Sequence, residues 1–312
     1  MSEFSVRVAG RRDEAEDVFS LVLAACDGDA LPEWAPGAHI DVRAGAAGVR
    51  QYSLCGDPGD RELWQIAVLH EPGGRGGSAH LFRTARPGAE FRVSAPRNNF
   101  ELVPHPSYVF VAGGIGITPL LPMLAAATAA HARWRLFYGA RTRAHMAFAD
   151  HLAARYPEVT LIPQDRDGLL PLSRILDGAG DAEIYCCGTE PLLAAIEHQG
   201  DERGLTIHTE RFAPRPVTAR PTPDHEFEVR LASTGATHRI GPKQSIADVL
   251  EAAGIDVITS CREGTCGSCE TTVLDGDIDH RDAILTPAER ARGNTMMLCV
   301  SRANSPTLVL DL

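Results

Sequence analysis

Cys261-Arg262-Glu263-Gly264-Thr265-Cys266-Gly267-Ser268-Cys269, answered by a lone Cys299, is the stretch from which the rest of the chain takes its meaning. The spacing is C-x4-C-x2-C, with the fourth cysteine 30 residues further on. Three thiolates on one loop and a distant fourth form the ligand pattern of a [2Fe–2S] cluster, with the loop wrapped around the inorganic core. Gly264, Gly267 and Ser268 are small, as a loop needs when its backbone N–H groups crowd against sulfur. A structural zinc site would usually bring two C-x2-C knuckles, and only one is present. Disulfides would need an oxidising compartment. Cys261, Cys266, Cys269 and Cys299 are therefore read as cluster ligands, and a one-electron carrier of this kind needs a source of electrons.

The chain has 312 residues, enough for two or three domains, and 44% hydrophobic content fills several cores. Its net charge of −11 argues against nucleic acid or an anionic membrane as a partner. Residues 225–312 hold eight basic and thirteen acidic side chains, a balance of −5 that could steer a basic partner. Cys26, Cys55, Cys186 and Cys187 are scattered and read as reduced thiols of a cytoplasmic protein. Met1 to Ser20 is charged throughout, unlike a signal peptide, and no apolar run reaches the length of a membrane span.

Residues 1–103 read as short strands: Phe4–Val8 and Val18–Leu23 alternate, and Pro-Gly pairs at 36–37, 72–73 and 87–88 punctuate them. That pattern implies a small antiparallel barrel. Two stretches in it carry chemistry. Arg50-Gln51-Tyr52-Ser53-Leu54 is a strand bearing a cation. Glu71-Pro72-Gly73-Gly74-Arg75-Gly76-Gly77-Ser78 opens a helix expected from about Ala79, and a glycine-rich helix entry offers N–H groups and the positive dipole end to a phosphate.

Residues 104–212 change character. Tyr108–Ala112 is continuously apolar, like a buried parallel strand, and runs through Gly113-Gly114-Ile115-Gly116-Ile117-Thr118-Pro119 into a helix over Leu120 to Ala130. Strand, glycine turn and helix form the dinucleotide arrangement, although the string is not G-x-G-x-x-G. Arg135–Ala140 is a second strand with Arg141 and Arg143 beyond it, where adenosine ribose is read; arginines there suit a 2′-phosphate or a solvated turn equally. Glu183 to Pro191 is a further strand-to-turn, and Glu210-Arg211-Phe212 closes the segment. Residues 213–224 hold four prolines and read as a semi-rigid linker. Beyond it come a hairpin (Phe227–Leu231 and Thr237–Ile240), a helix from the N-cap Ser245 through Ile246 to Ala253, a strand over 271–274, and a returning strand over Met297–Val300 that carries Cys299.

The R-x-Y-S-L string followed by a glycine/serine loop resembles the flavin domain of the ferredoxin–NADP reductase superfamily. The G-G-x-G-x-T-P string and Cys187-Gly188-Thr189-Glu190-Pro191 resemble its nucleotide domain, with Thr189 where a proline is usual. The last segment resembles the β-grasp ferredoxins. Flavin barrel first, nucleotide domain second and plant-type ferredoxin last resembles the phthalate dioxygenase reductase group, including the vanillate demethylase reductases, over nearly the whole chain. The implied fold is multidomain: an antiparallel flavin-binding β-barrel (1–103), an α/β parallel-sheet NAD domain (104–212), a linker (213–224) and a β-grasp [2Fe–2S] ferredoxin domain (225–312).

The resemblance further implies a flavin site of Arg50, Gln51, Tyr52, Ser53, the backbone of Ala67, Val68 and Leu69, Arg75, Gly76, Gly77, Ser78 and Phe212. It implies an NAD site of Gly113, Gly114, Ile115, Gly116, Thr118, Arg141, Cys187 and Gly188. Ser53, Thr118, Cys187 and Glu210 stand where hydride is transferred. His39, His70 and His80 are read as packing or surface residues. The implied cofactors are FMN, with FAD as the alternative, the [2Fe–2S] cluster and NADH, with NADPH as the alternative. The implied activity is an NADH-dependent reductase, a monomer, that passes electrons to a terminal oxygenase of Rieske or haem type. A non-enzymatic redox-sensing module is the rival, which the retention of both the flavin and the nucleotide strings disfavours.

Overall fold

The computed structural model describes residues 3–214 and 224–312. Most of the expected linker, 213–224, lies outside the described residues. The chain forms two compact units, the first ending at Glu210 and the second beginning at Arg211.

The first unit holds two sheets. The antiparallel sheet contains β1 (Glu3–Ala15), β2 (Val18–Ala25), β3 (Ala38–Arg43), β4 (Val49–Ser53), β5 (Leu63–Leu69), β6 (Glu90–Ser94) and the short β7 (Arg97–Asn98). Its order is β4-β3-β6-β1-β2-β5, with β7 on β3. The two ends meet through a bridge between Leu54 and Ile66, which curls the sheet towards closure. Alternating residues such as Val6, Val8, Leu21, Leu23, Ile40, Val42 and Ile66 fill one interior. A single helix, α1 (Gly77–Thr84), follows β5 and starts two residues before the expected Ala79.

The second sheet is parallel: β8 (Ser107–Gly113), β9 (Arg133–Ala140), β10 (Val159–Pro163), β11 (Glu183–Cys187) and β12 (Ile207–Glu210), in the order β10-β9-β8-β11-β12. Helices α2 (Leu120–Ala129), α3 (Ala149–Arg155), α4 (Gln164–Asp167), α5 (Leu172–Asp177) and α6 (Glu190–Asp201) accompany it. The unbroken apolar run of β8 follows from burial on both faces. Tyr108, Phe110 and Ala112 enter one core, Val109 and Val111 the other. A smaller cluster, including Val18, Cys55 and Ala67 with Ala147 and Phe148, joins the two sheets.

The second unit is built on β13 (Phe227–Leu231), β14 (Thr237–Ile240), β15 (Glu270–Asp275), β17 (Thr295–Met297) and β19 (Thr307–Leu310), with a two-stranded ribbon of β16 (Ile278–Asp279) and β18 (Arg302–Ala303). The central pair β13/β19 is parallel and its neighbours antiparallel. Helix α7 (Ile246–Ala252) lays Ile246, Ala247 and Leu250 on this sheet, and Ser245 caps it by accepting from Asp248 N at 3.1 Å. A short α8 (Pro287–Arg292) has a full capping box between Thr286 and Glu289. The returning strand is shorter than expected: β17 ends at Met297, and Cys299 sits in the turn that follows. Ser301 N and Val300 N both donate back to Met297 O, at 2.9 and 3.2 Å, so the chain turns before a strand can continue.

Candidate active site and cluster loop

Strand β4 pairs with β3 so that Arg50 faces Val42, Gln51 faces Asp41, Tyr52 faces Ile40 and Ser53 faces His39. The pleat puts Gln51 and Ser53 on one side and Arg50 and Tyr52 on the other. Tyr52 packs against the barrel core, and burial raises its phenol above the ordinary value. The Gln51 amide donates to Asp41 Oδ1 at 3.2 Å, and Arg97 reaches the same oxygen at 2.6 Å. Its side chain therefore ties strands together.

Arg50 spans from β4 to the glycine loop, donating to Val49 O at 2.7 Å and Arg75 O at 3.0 Å. It lies across Gly77, where a Cβ would sit 2.4 Å from Arg50 Cγ. Gly76 enters α1 with φ of +86°, a conformation that favours glycine. Ser78 Oγ accepts from Glu71 N at 3.1 Å and keeps its proton to donate. Guanidinium, hydroxyl and the first N–H groups of α1 thus meet in one cradle with the character of an anion site. Along β5, Ser20, Phe19 and Val18 pair with Ala67, Val68 and Leu69 on one side. On the other, among the described residues, the ladder stops at the Leu54–Ile66 bridge.

Ser53 Oγ is buried and has no hydrogen-bond partner. Beside its strand partner His39 stands Glu210, with Nδ1 to Oε1 at 3.9 Å. Glu210 Oε2 is likewise buried without a hydrogen bond. Burial pushes the Glu210 carboxyl up to about 8, so it holds its proton at neutral pH. On the neighbouring strand Cys187 pairs in register with Glu210. Burial, then Glu210 and Cys186, raise its thiol well above the ordinary value. His39 is buried, as a packing residue would be, and lies beside Ser53 and Glu210 where the strands of both sheets end. No motif marks it, because its neighbours come from distant parts of the chain. His70, by contrast, stacks on Phe82, and His80 lies against Gly45.

The nucleotide loop is shaped by close approach. A Cβ on Gly116 would come 2.2 Å from Cys187 O, and one on Gly113 2.7 Å from Leu192 Cδ2. A Cβ on Gly188 would lie 3.0 Å from Gly113. Gly114 has φ of +55°. Glycine is thus required where the ends of β8 and β11 touch, and the turn exposes backbone N–H groups at the start of α2. Thr118 is buried and its hydroxyl donates to Ile115 O at 3.0 Å, closing the turn. Arg141 is exposed past β9, and its carbonyl accepts from Asp165 N at 3.1 Å. Arg143 is occupied by an ion pair with Asp150. Phe212 is 42% exposed and belongs to the second unit.

In that second unit, Cys266, Cys269 and Cys299 are buried and Cys261 partly so. Backbone N–H groups already converge on sulfur: Glu263 N and Thr265 N on Cys261 Sγ at 3.3 and 3.5 Å, and Ser268 N on Cys266 Sγ at 3.4 Å. Hydrogen bonds from Cys266 and then Cys299 hold the Cys261 thiol low, and Cys299 does the same for Cys269. Among the described residues, only Glu16, Asp17 and His145 bring three ligand atoms within 4.8 Å of one another. Arg262, at φ of +56°, anchors the loop to α7 through Asp248 at 2.5 Å and Glu251 at 2.7 Å. This clamp had no sequence signal of its own.

The residues present fit the groups they were read to hold: unpartnered Ser53 Oγ and Glu210 Oε2 for a flavin, the Arg50–Gly77 cradle for its phosphate, and four converging thiols for iron. Residues 229–304 match the model of the 2Fe-2S iron-sulfur cluster binding domain, and residues 110–198 that of the oxidoreductase NAD-binding domain. The chain is similar to a phenoxybenzoate dioxygenase subunit beta of Ectopseudomonas oleovorans, 41% identical over 100% of this chain and 98% of that one. Among solved structures it is similar to an intact type IV self-sufficient cytochrome P450 monooxygenase, with a TM-score of 0.92 and 41% identity over 99% of this chain. It spans only 41% of that longer protein's length. It is also similar to phthalate dioxygenase reductase, whose structure is described as modular for electron transfer from pyridine nucleotides to [2Fe–2S]. The TM-score there is 0.71 and the identity 34%, over 100% of this chain and 98% of that one.

Proposed function

The chain belongs to the phthalate dioxygenase reductase family of NAD-binding, [2Fe–2S] oxidoreductases, and from that membership we propose that it takes hydride from NADH onto FMN and releases electrons singly to a terminal oxygenase. The observation that carries this reading is the meeting of Ser53, His39, Cys187 and Glu210 at the ends of β3, β4, β11 and β12. Two sheets with different ligand chemistries converge there on a buried spot that holds unpartnered polar atoms. When bound, FMN supplies the exchange between a two-electron donor and a one-electron acceptor.

The chain's own residues do the placing. Arg50, Arg75, Ser78 and the N–H groups of Gly76 and Gly77 hold the flavin phosphate. The backbone of Ala67, Val68 and Leu69 receives the polar edge of the ring, and Gln51 keeps its strand in register while Tyr52 walls the site. Ser53 offers its hydroxyl where hydride arrives. Gly113, Gly114, Ile115, Gly116, Thr118 and Gly188 shape the pyrophosphate site, Arg141 reaches the ribose, and Cys187 excludes water from the nicotinamide. Neutral Glu210 keeps negative charge away from the hydride path. Cys261, Cys266, Cys269 and Cys299 hold the cluster. We assign 1–103 to the flavin domain, 104–212 to the NAD domain, 213–224 to the linker and 225–312 to the ferredoxin domain.

The relatives favour an oxygenase as acceptor, a dioxygenase component first. The likeness to a P450 fusion supports a haem monooxygenase as the second reading. No helix among the described residues is long and apolar enough to cross a membrane, and a cytoplasmic monomer is the state proposed. An anaerobic NADH titration followed by absorbance and EPR tests the whole path. Flavin bleaching accompanied by a rhombic [2Fe–2S] signal is expected, with NADPH weaker in a parallel cuvette. No bleaching with either nucleotide would refute the reductase reading.

A further inference from the structure

Behind the cluster loop lies a cluster of charged side chains that the electron path above does not use. Asp282, between β16 and α8, is 0% exposed. Its Oδ2 accepts from Ile284 N at 3.1 Å and Leu285 N at 2.8 Å. Arg290 of α8 reaches that oxygen at 3.4 Å and the Asp282 carbonyl at 2.6 Å. The other oxygen, Oδ1, has no hydrogen bond and faces His280 Nδ1 at 3.8 Å. A carboxylate buried this deeply is costly unless its surroundings compensate, and here backbone N–H groups, a guanidinium and an imidazole all turn towards it.

The same segment grips both stretches that carry the cysteines. Ala283 N donates to Gly264 O at 2.8 Å, and Gly264 lies between Cys261 and Cys266. A Cβ on Gly264 would come 3.0 Å from Asp282 Cα and 2.6 Å from Val300 Cγ2, so the loop, Asp282 and the turn after Cys299 are in close contact. At the other end Arg281 N donates to Ser301 Oγ at 3.2 Å.

We propose that Asp282 and His280 are positioning residues for the [2Fe–2S] cluster: Asp282 sets the loop carrying Cys261 and Cys266 against the turn carrying Cys299, and His280 takes up a proton when the cluster takes up an electron. The electron comes from NADH by way of the flavin and the proton from solvent; both leave when the acceptor is reduced. This rests on the cluster reading above. The charged groups facing His280 are Asp282, Arg290 of α8 and Asp279 of β16. Burial above all depresses its proton affinity, which Asp282 partly offsets.

The test is an EPR-monitored redox titration of the full-length holoprotein between about pH 5.5 and 8.5. The wild-type cluster potential is expected to fall as pH rises, at most tenfold in the reduced-to-oxidised ratio per pH unit, or 59 mV for one electron. His280→Gln is expected to flatten that dependence while iron content and line shape stay unchanged. Asp282→Asn is expected to alter the line shape and shift the potential upward, because a negative charge is removed. A wild-type potential independent of pH, or a slope that survives in His280→Gln, overturns the proposal. If Asp282→Asn fails to assemble a cluster, the His280→Gln slope still decides. A wild-type protein that binds no iron would instead refute the cluster reading itself, which iron analysis reads separately.

Discussion

At the scale of single residues, the least obvious feature is a carboxyl group that keeps its proton. Burial alone lifts Glu210 from 4.5 to about 8. In the unfolded chain it ionises near its ordinary value. Its contribution to stability is therefore whole below about pH 4.5 and is lost as pH climbs through 8. Glu210→Gln, which cannot ionise, is expected to gain on the wild type across that window, by ~3–5 kcal/mol at its upper end. Denaturant unfolding of the flavin-free protein at pH 5, 6.5 and 8 checks this, and parallel stability curves for the two proteins would contradict it. The glutamate was legible in the sequence only through a resemblance. Its proton and its neighbour His39 were not, because both depend on which side chains the fold places alongside.

At the scale of elements, strand-to-helix turns do most of the ligand shaping. In each, glycine is present because another backbone or side chain occupies the space of a Cβ. Gly77 makes room for Arg50, so Gly77→Ala is expected to push the guanidinium off the loop. Losing one charge-assisted contact to phosphate costs ~1.5–3 kcal/mol, a 10- to 100-fold drop in FMN affinity. Fluorescence titration of the apoprotein with FMN measures it, with the far-ultraviolet CD spectrum as the control for folding. Unchanged affinity would remove Arg50 from the phosphate site. These turns were readable from sequence because strand, glycines and helix are contiguous. The helix start at Gly77 rather than Ala79, and the end of β17 before Cys299, were not. Both are decided by hydrogen bonds to the far side of a turn.

At the scale of the whole molecule, each unit owns a core: the second packs its sheet and α7 around residues such as Val229, Leu250, Met297 and Leu308. A chain truncated after Phe212 is accordingly expected to keep NADH oxidation with ferricyanide, which takes electrons from flavin. It is expected to lose NADH–cytochrome c reduction by at least tenfold, because the one-electron outlet has gone. Steady-state assays of the two acceptors side by side check this. Cytochrome c reduction at the full-length rate would mean that electrons leave without passing the cluster.

What the sequence determined by itself was whatever is encoded in short spacings: four cysteines, a cationic strand, two glycine turns and the order of three kinds of segment. Those signals survive in one dimension because a loop that wraps a cluster or a phosphate is made of neighbours in the chain. What only the tertiary structure decided is which remote side chains share a buried space. Ser53 meets His39 and Glu210, Arg262 reaches back to α7, and Asp282 sits behind Gly264, each through sheet pairing and close packing. Their protonation and partners follow from burial, and burial is a property of the folded chain.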